Sequence, residues 1–231
     1  MEILKVENVT KKFGGFVAVN NVSFTVNRGE TVAIIGPNGA GKTTLVNVIT
    51  KKLEPDEGRV FFDGFEITRL PPHKITKLGL VRTFQVVNLF PTLTVRENMA
   101  LAGLSAGATG EVRRVIEMLG LEEYTDRVVA KVPLGVQKLV ELGTSLLLKP
   151  KMLILDEPVA GLGAEDRLNM VKVLSELKKS LNLIIIEHDM DVVFALVDRI
   201  IVMDKGRIIA DGRPEDIREN KLVKEIYLGG E

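Results

Sequence analysis

A glycine-rich loop entered from a short apolar run constrains this chain more than any other segment. Residues 31–35 are almost wholly apolar, and the loop that follows consists of Gly36, Pro37, Asn38, Gly39, Ala40, Gly41, Lys42, Thr43 and Thr44. Glycines let the backbone wrap closely around an anion, so that consecutive N–H groups point inward at the start of a helix expected near Thr43. The segment therefore predicts a phosphate-binding loop.

Two side chains at the end of this loop predict a nucleoside triphosphate as the ligand. Lys42 would reach the β- and γ-phosphates, and the Thr43 hydroxyl would bind a magnesium ion that bridges them. The alternative is a chance glycine-rich turn. From average residue frequencies, the pattern arises by accident in roughly one chain in a hundred of this length.

Composition bounds the class of protein. The chain has 231 residues, 45% of them hydrophobic, which suits one domain with an insertion or two tightly associated lobes. Thirty-one basic and 31 acidic residues balance, so no net charge steers the molecule toward nucleic acid. The absence of cysteine excludes disulfides, cysteine-ligated zinc and thiol catalysis, and two histidines argue against a histidine-built metal cluster.

Hydropathy argues against a membrane span. No apolar run approaches the eighteen or so residues that cross a bilayer, and the first five residues lack the layout of a signal peptide. We therefore expect any membrane role to come through a partner.

The distribution of apolar residues predicts an α/β fold. Alternation at 21–27 and a second short strand pattern at 58–64 indicate an N-terminal antiparallel β layer. Wholly apolar runs at 152–155, 183–186 and 200–203 are separated by helical patterns, which is typical of buried parallel strands. The predicted fold class is a P-loop NTPase core with a mostly parallel sheet, to which the antiparallel layer is joined.

A helical insertion is predicted within this core. Between about residues 86 and 149 the strand signal disappears, and helical spacing takes over in Val112, Val115, Ile116 and Leu119. The expected organisation is a single nucleotide-binding domain over 1–231. Its core would comprise about 1–85 and 150–231, and its helical subdomain about 86–149.

Two adjacent carboxylates follow the apolar run 152–155. Asp156 can hold magnesium through water, while Glu157 can orient and deprotonate the water that attacks the γ-phosphate. The alternative is a solvated Asp-Glu turn, which the phosphate loop makes less attractive. Carboxyl ends of parallel strands meet at one edge of a sheet, so these groups should lie near the loop.

Two further polar residues end strand-like runs. His188 follows 183–187, where a neutral imidazole could contact the γ-phosphate and sense its loss. Gln85 lies where the core passes into the helical insertion and could contact both the metal and a moving lobe. Alone, either residue would be an ordinary polar strand end or loop amide.

The chain resembles the ATP-binding subunits of ABC transporters, and within them those of branched-chain amino acid importers. The resemblance covers nearly the whole length and includes the phosphate loop, Gln85, Asp156-Glu157 and His188. The subfamily likeness comes from the stretches 13–15, 18–22, 82–85, 89–98, 187–190 and 227–229.

The resemblance implies a two-subunit mechanism. ATP would be sandwiched between the phosphate loop of one subunit and a signature segment of the other, with closure on ATP binding and opening on hydrolysis. Phe13 would stack on adenine, with Phe16 as the weaker candidate; either could instead be core. Val86, Leu89, Phe90 and Leu93 would form much of a groove for a short helix of the transmembrane permease partner.

The chain departs from the family at the signature, which usually reads Leu-Ser-Gly-Gly-Gln. Here the aligned residues are Val132, Pro133, Leu134, Gly135 and Val136, followed by Gln137. Pro133 removes a hydroxyl and an N–H, although proline is tolerated where a helix begins. Gly163 also stands where an aspartate is common. We therefore expect the helix to form and its phosphate site to be weakened.

The resemblance implies an ATPase at the cytoplasmic face of the plasma membrane, peripheral to permease subunits, with ATP and Mg²⁺ as cofactors. It also implies branched-chain or other hydrophobic amino acids as the substrates. The second ATP-binding subunit is expected to be a different chain, with a homodimer left open. One alternative is a catalytically weak nucleotide-gated module for assembly or regulation. A DNA- or ribosome-directed ATPase is disfavoured, because the chain has no basic stripe, coiled-coil heptads or second phosphate loop.

Overall fold

The computed structural model describes residues 1–83 and 87–228. Its strands are β1 (Glu2–Phe13), β2 (Phe16–Asn27), β3 (Thr31–Ile35), β4 (Glu57–Phe62), β5 (Phe65–Glu66), β6 (Leu80–Arg82), β7 (Met152–Asp156), β8 (Asn182–Ile186), β9 (Arg199–Asp204) and β10 (Arg207–Gly212). Its α-helices are α1 (Lys42–Ile49), α2 (Pro72–Leu78), α3 (Val95–Ser105), α4 (Val112–Met118), α5 (Leu134–Leu147), α6 (Ala164–Leu177), α7 (Met190–Leu196), α8 (Pro214–Glu219) and α9 (Lys221–Leu228).

The larger sheet has the strand order β10-β9-β3-β8-β7-β6. All its pairings are parallel except that of β10 with β9. Every residue of β3 and β7 is buried, as expected of strands with both faces covered. The three apolar runs predicted as parallel strands are β7, β8 and β9, which confirms the predicted α/β fold with a mostly parallel sheet.

The smaller sheet is antiparallel, with the order β2-β1-β4-β5. In β2, Val22, Phe24 and Val26 are buried while the residues between them are more exposed, which is the period of a strand with one buried face. This sheet is the predicted N-terminal antiparallel layer. It positions Ala18, at its edge, against the loop that follows β3.

The described part of the stretch between β6 and β7 is mostly helical. The described residues 87–149 contain α3, α4 and α5, three short 3₁₀ turns, and a single bridge between Thr94 and Val128. Thr94 caps α3 in a capping box with Glu97, which supplies partners for N–H groups that a helix start leaves unpaired. Within this region α3 packs on α5, where Met99 meets Gly143. The division into core and helical subdomain stays a prediction.

Among residues 1–83 and 87–228, no helix has both the length and the apolar character that crossing a bilayer requires.

Candidate nucleotide-binding site

The loop between β3 and α1 requires glycine at two positions. Gly36 has φ +150°, and a Cβ there would lie 2.1 Å from the carbonyl oxygen of Met203. Gly41 has φ +99°, and its Cβ would lie 2.3 Å from the carbonyl oxygen of Ala18. Gly41 is also the N-cap of α1, so the helix starts at Lys42, one residue before the predicted position. Close backbone approach on both sides fixes the loop in its curved conformation.

The side chain of Lys42 is folded into this loop. Its Nζ donates hydrogen bonds to the carbonyl oxygens of Gly36, at 2.6 Å, and Pro37, at 3.0 Å. Burial lowers the pKa of Lys42, while the nearby carboxylates of Glu157 and Asp156 partly oppose that shift. A bound phosphate would offer this ammonium a full negative charge in place of two carbonyl dipoles.

Asp156, at the end of β7, is buried and makes an ion pair. Its Oδ2 accepts a hydrogen bond from Arg82 at 2.6 Å, and Arg82 also donates to Asn47 of α1 at 2.6 Å. Among the described residues, none donates to the other oxygen, Oδ1. Arg82 therefore joins the ends of β6 and β7 to the helix that follows the phosphate loop.

Glu157 and His188 come together at the carboxyl edge of the sheet. The Nε2 atom of His188 lies 3.2 Å from Oε1 of Glu157. A carboxylate only accepts hydrogen bonds, so Nε2 carries the proton in this contact. The backbone N–H of Glu157 donates to the carbonyl of Ile186 at 2.9 Å, which continues the pairing of β7 with β8 past Asp156.

Two predicted residues have different outcomes. Gln85 lies outside the described residues. Phe13 ends β1, pairs with Phe16 across the hairpin, and is 48% exposed, while Phe16 is 64% exposed. Neither phenylalanine belongs to the hydrophobic core, so the alternative that one of them is a core residue is wrong. The ammonium of Lys11 lies 5.6 Å from the ring centre of Phe13.

The altered signature segment still begins a helix. Pro133 is the N-cap of α5 with extended backbone, and Leu134 is the first helical residue. Both residues are exposed, whereas Gly135 and Val136 are buried. The amide of Gln137 folds back to donate to the carbonyl of Val132 at 2.9 Å. The expected helix is confirmed.

Three charged residues near the site, all with largely buried side chains, were not predicted to act there: Arg82, Lys138 and Glu187. A usable signal was present, since each interrupts or ends an apolar run where an exposed charge is out of place. Their partners could not be inferred, because Arg82 and Asp156 are 74 positions apart in the chain.

The parallel sheet, the glycine loop with its inward lysine and the paired carboxylates at a strand end define a P-loop nucleotide-binding protein. Residues 19–160 match the ABC transporter family, and residues 207–231 match the family of branched-chain amino acid ATP-binding cassette transporters. The chain belongs to the ABC transporter family, as an ATP-binding subunit with ATPase activity. Membership implies permease partners in the membrane.

Relatives match over the full length. "Probable branched-chain amino acid transport ATP-binding protein LivG" of Methanocaldococcus jannaschii is 39% identical, over 99% of this chain and 98% of that protein. "High-affinity branched-chain amino acid transport ATP-binding protein BraF" of Pseudomonas aeruginosa is 38% identical, over 98% of each chain.

Solved structures of cassettes share the fold. A nucleotide-free ATP-binding cassette from an ABC transporter superimposes with a TM-score of 0.90 at 38% identity, over 98% of this chain and 99% of that one. A second cassette, in a dimeric post-hydrolysis state bound to ADP and Pi, has a TM-score of 0.82 at 26% identity, over 92% and 99%. These similarities confirm the predicted fold class.

Proposed function

We propose that this chain hydrolyses magnesium-bound ATP to power the import of branched-chain or other hydrophobic amino acids. The observation that carries the catalytic part is the 3.2 Å contact between Glu157 and His188 beside the Lys42 loop. A base, a phosphate-sensing group and a cationic cradle then lie at one edge of the sheet, as hydrolysis of a γ-phosphate requires. The names of the relatives support the substrate class.

Each residue has a defined task in this proposal. The loop 36–44 holds the phosphates with backbone N–H groups, and Lys42 exchanges its carbonyl partners for β- and γ-phosphate oxygens. Glu157 accepts a proton from the water that attacks phosphorus in line. His188 turns its Nε2–H from Glu157 to a γ-phosphate oxygen, which leaves the carboxylate to hold that water.

The oxygen groups near the phosphate loop fit a magnesium ion. Thr43 is exposed at the start of α1, and Asp156 pairs with Arg82 through Oδ2, not Oδ1; hard oxygen donors are the ligands Mg²⁺ prefers. We propose that Thr43 and Gln85 bind the magnesium ion directly and that Asp156 binds it through a water molecule. Bound there, the ion would neutralise charge on the β- and γ-phosphates.

The permease would dock where the core meets the helical region. A groove of about 650 Å³ lies between α2, β6 and α5 and is lined in part by Ile75, Leu80, Val87 and Leu148. Of the residues predicted for this groove, Phe90 is 60% exposed in the adjoining loop, and Val86 lies outside the described residues. An exposed apolar groove of this kind suits a short helix of a membrane subunit, and would keep the chain peripheral, at the cytoplasmic face.

We propose a different chain as the second ATP-binding subunit. Pro133 and Leu134 alter the surface with which this chain would contact its partner's γ-phosphate, while the residues for its own ATP are intact. A second subunit with an unaltered signature would complete this chain's site. A homodimer would instead place two altered signatures in one assembly.

Transport in proteoliposomes tests the proposal. The chain is reconstituted with the permease and ATPase proteins that co-purify with it, and ATP-driven uptake of leucine, isoleucine and valine is compared with that of lysine and glutamate. We expect uptake of the apolar amino acids alone, abolished by Glu157→Gln. Uptake that survives Glu157→Gln overturns the catalytic assignment, and uptake of the charged amino acids alone overturns the substrate class.

A second candidate is a nucleotide-gated module that closes on ATP and hydrolyses it poorly. The observation that favours it is Pro133 as the N-cap of α5, where no side chain caps the helix. Single-turnover hydrolysis after mixing with the partner subunit separates the two functions. A module of this kind would bind ATP tightly yet turn it over slowly, at a rate that Glu157→Gln leaves unchanged.

A further inference from the structure

Two buried charges adjoin the catalytic residues and have no part in the reaction as proposed. Lys138 lies on α5 and is 7% exposed, and Glu187 follows β8 and is 3% exposed. Charged residues are rarely buried to this degree without partners that hold them in place. The partners in this case are parts of the two loops that carry Glu157 and His188.

Lys138 holds the backbone of Glu157. Its Nζ donates to the carbonyl oxygen of Glu157 at 2.7 Å, and the N–H of Ala160 donates to the same oxygen at 3.2 Å. Glu157 has φ +50°, a left-handed conformation that residues other than glycine rarely adopt. Such a conformation persists where surrounding contacts enforce it, and the Lys138 ammonium is one such contact.

Glu187 joins the two catalytic loops. One oxygen, Oε1, accepts from the N–H of Val159 at 3.2 Å, in the loop that follows Glu157. The other, Oε2, accepts from the N–H of His188 at 2.7 Å and of Asp189 at 3.3 Å. A single buried carboxylate therefore fixes the separation of the loops that present the base and the histidine.

Lys138 and Glu187 also interact electrostatically. Burial lowers the pKa of Lys138, and the charge of Glu187 opposes this shift more than those of Glu141, Glu157 and Asp156. The negative charge of Glu187 thus favours the ammonium form of Lys138. Together they connect α5, the loop after β7 and the loop after β8.

We propose that Lys138 and Glu187 are positioning residues for ATP hydrolysis: Lys138 fixes the left-handed backbone of Glu157, and Glu187 pins the His188 loop to the loop after Glu157. This inference rests on the proposed roles of Glu157 and His188. It assigns to neither residue any contact with ATP, so their loss should lower kcat and leave nucleotide affinity almost unchanged.

The test uses the reconstituted transporter and four variants. Lys138→Met removes the ammonium at similar volume, Lys138→Arg keeps the charge, and Glu187→Gln keeps the shape. The matched control is Lys178→Met, because Lys178 also donates to a backbone carbonyl at 2.7 Å, that of Leu196, away from the catalytic loops. ATPase kcat and KM are measured separately, with ATP affinity from calorimetry and thermal unfolding alongside.

We expect Lys138→Met and Glu187→Gln to lower kcat about 10- to 100-fold with KM within about twofold, because a displacement near 1 Å is enough for such losses. Lys138→Arg should recover much of the rate, and Lys178→Met should keep the normal rate. A normal kcat in both Lys138→Met and Glu187→Gln overturns the inference. So does a loss in Lys178→Met equal to theirs, which would indicate a general loss of stability.

A double-mutant cycle separates this inference from the proposed function. If Lys138 acts through Glu157, Lys138→Met has no further effect on the residual single-turnover rate of Glu157→Gln. Additive losses overturn the inference alone, whereas a normal rate in Glu157→Gln by itself overturns the catalytic assignment. If Lys138→Met does not fold, a double-mutant cycle of Glu187→Gln with Glu157→Gln tests the inference instead.

Discussion

The chain has two helix starts suited to phosphate, and they differ in what precedes the helix. Gly41 is the N-cap of α1, and no Cβ stands between its backbone and an approaching anion. Pro133 is the N-cap of α5, followed by the exposed side chain of Leu134. The dipole and the unpaired N–H groups favour anions at both starts, but access to them differs. Helix geometry can therefore survive a sequence change that alters its ligand.

The two helix starts also differ in the charged side chains that lie beside them. At α1 the Lys42 ammonium is folded into the loop, with the carboxylates of Glu157 and Asp156 near it. At α5 a Cβ on Gly135 would lie 2.4 Å from Cγ of Asp166, so the carboxylate of Asp166 packs directly on that glycine. A negative charge beside the start of α5 opposes a second anion there. We therefore expect phosphate to bind at the start of α1 and to bind less well at the start of α5.

The two regions are physically joined. Lys138, the fifth residue of α5, donates to the carbonyl of Glu157, so the helix that begins at the signature contacts the backbone of the proposed base. A displacement of α5 would reach the backbone of Glu157 through this hydrogen bond.

The largest expected effect is on the rate at which this chain hydrolyses the ATP bound to its own phosphate loop. Glu157→Gln should lower hydrolysis roughly 100- to 10,000-fold, because an amide cannot accept the proton of the attacking water. ATP affinity should stay within about twofold, since Glu157 does not hold the phosphates in the ground state. Single-turnover hydrolysis with the partner subunit present measures the rate. A rate near normal would remove Glu157 as the base.

Next in size is the loss of the phosphate countercharge. Lys42→Ala should weaken ATP binding by about 1.5–3 kcal/mol for each charged hydrogen bond lost, or about 10- to 150-fold. Calorimetry measures the affinity, with Lys74→Ala, an exposed lysine of α2, as the control. Unchanged affinity in Lys42→Ala would defeat the phosphate-loop assignment.

The fold and part of the site were predictable for a local reason. The runs that became β7, β8 and β9 are apolar throughout; Asp156 and Glu157 directly follow the first of them, and His188 lies two positions beyond the second. Local patterns suffice where one segment supplies both the strand and its end. Arg82, Lys138 and Glu187 act through contacts between distant segments, which no periodicity records. The left-handed backbone of Glu157 likewise depends on its surroundings.

Dimerisation in solution tests whether the altered signature still binds ATP. Purified Glu157→Gln protein, whose ATP binding is first confirmed by calorimetry, is examined by light scattering on a sizing column with Mg²⁺ and ATP. We expect a monomer, because Pro133 and Leu134 stand where each copy would receive the other's γ-phosphate. A dimer would show that the surface accepts ATP and would favour a homodimeric transporter.

The smallest expected effect concerns repair of the signature. The usual signature has serine at the position of Pro133 and glutamine at that of Val136, but Val136 is only 9% exposed, so a glutamine there buries an amide at a cost of about 1–3 kcal/mol. Pro133→Ser alone is the cleaner variant. It supplies a hydroxyl for the partner's γ-phosphate at an exposed N-cap.

We expect Pro133→Ser to raise turnover of the reconstituted pair about two- to tenfold, the gain of one neutral hydrogen bond. Serine also caps helices, worth about 0.5–2 kcal/mol of stability, so unfolding is measured in parallel. Pro133→Ala, which relieves the ring without adding a hydroxyl, is the matched control. Equal turnover in the serine and alanine variants would mean that the missing hydroxyl does not limit the pair. The weaker binding of phosphate expected at the start of α5, compared with α1, would then be due to Leu134 and Asp166.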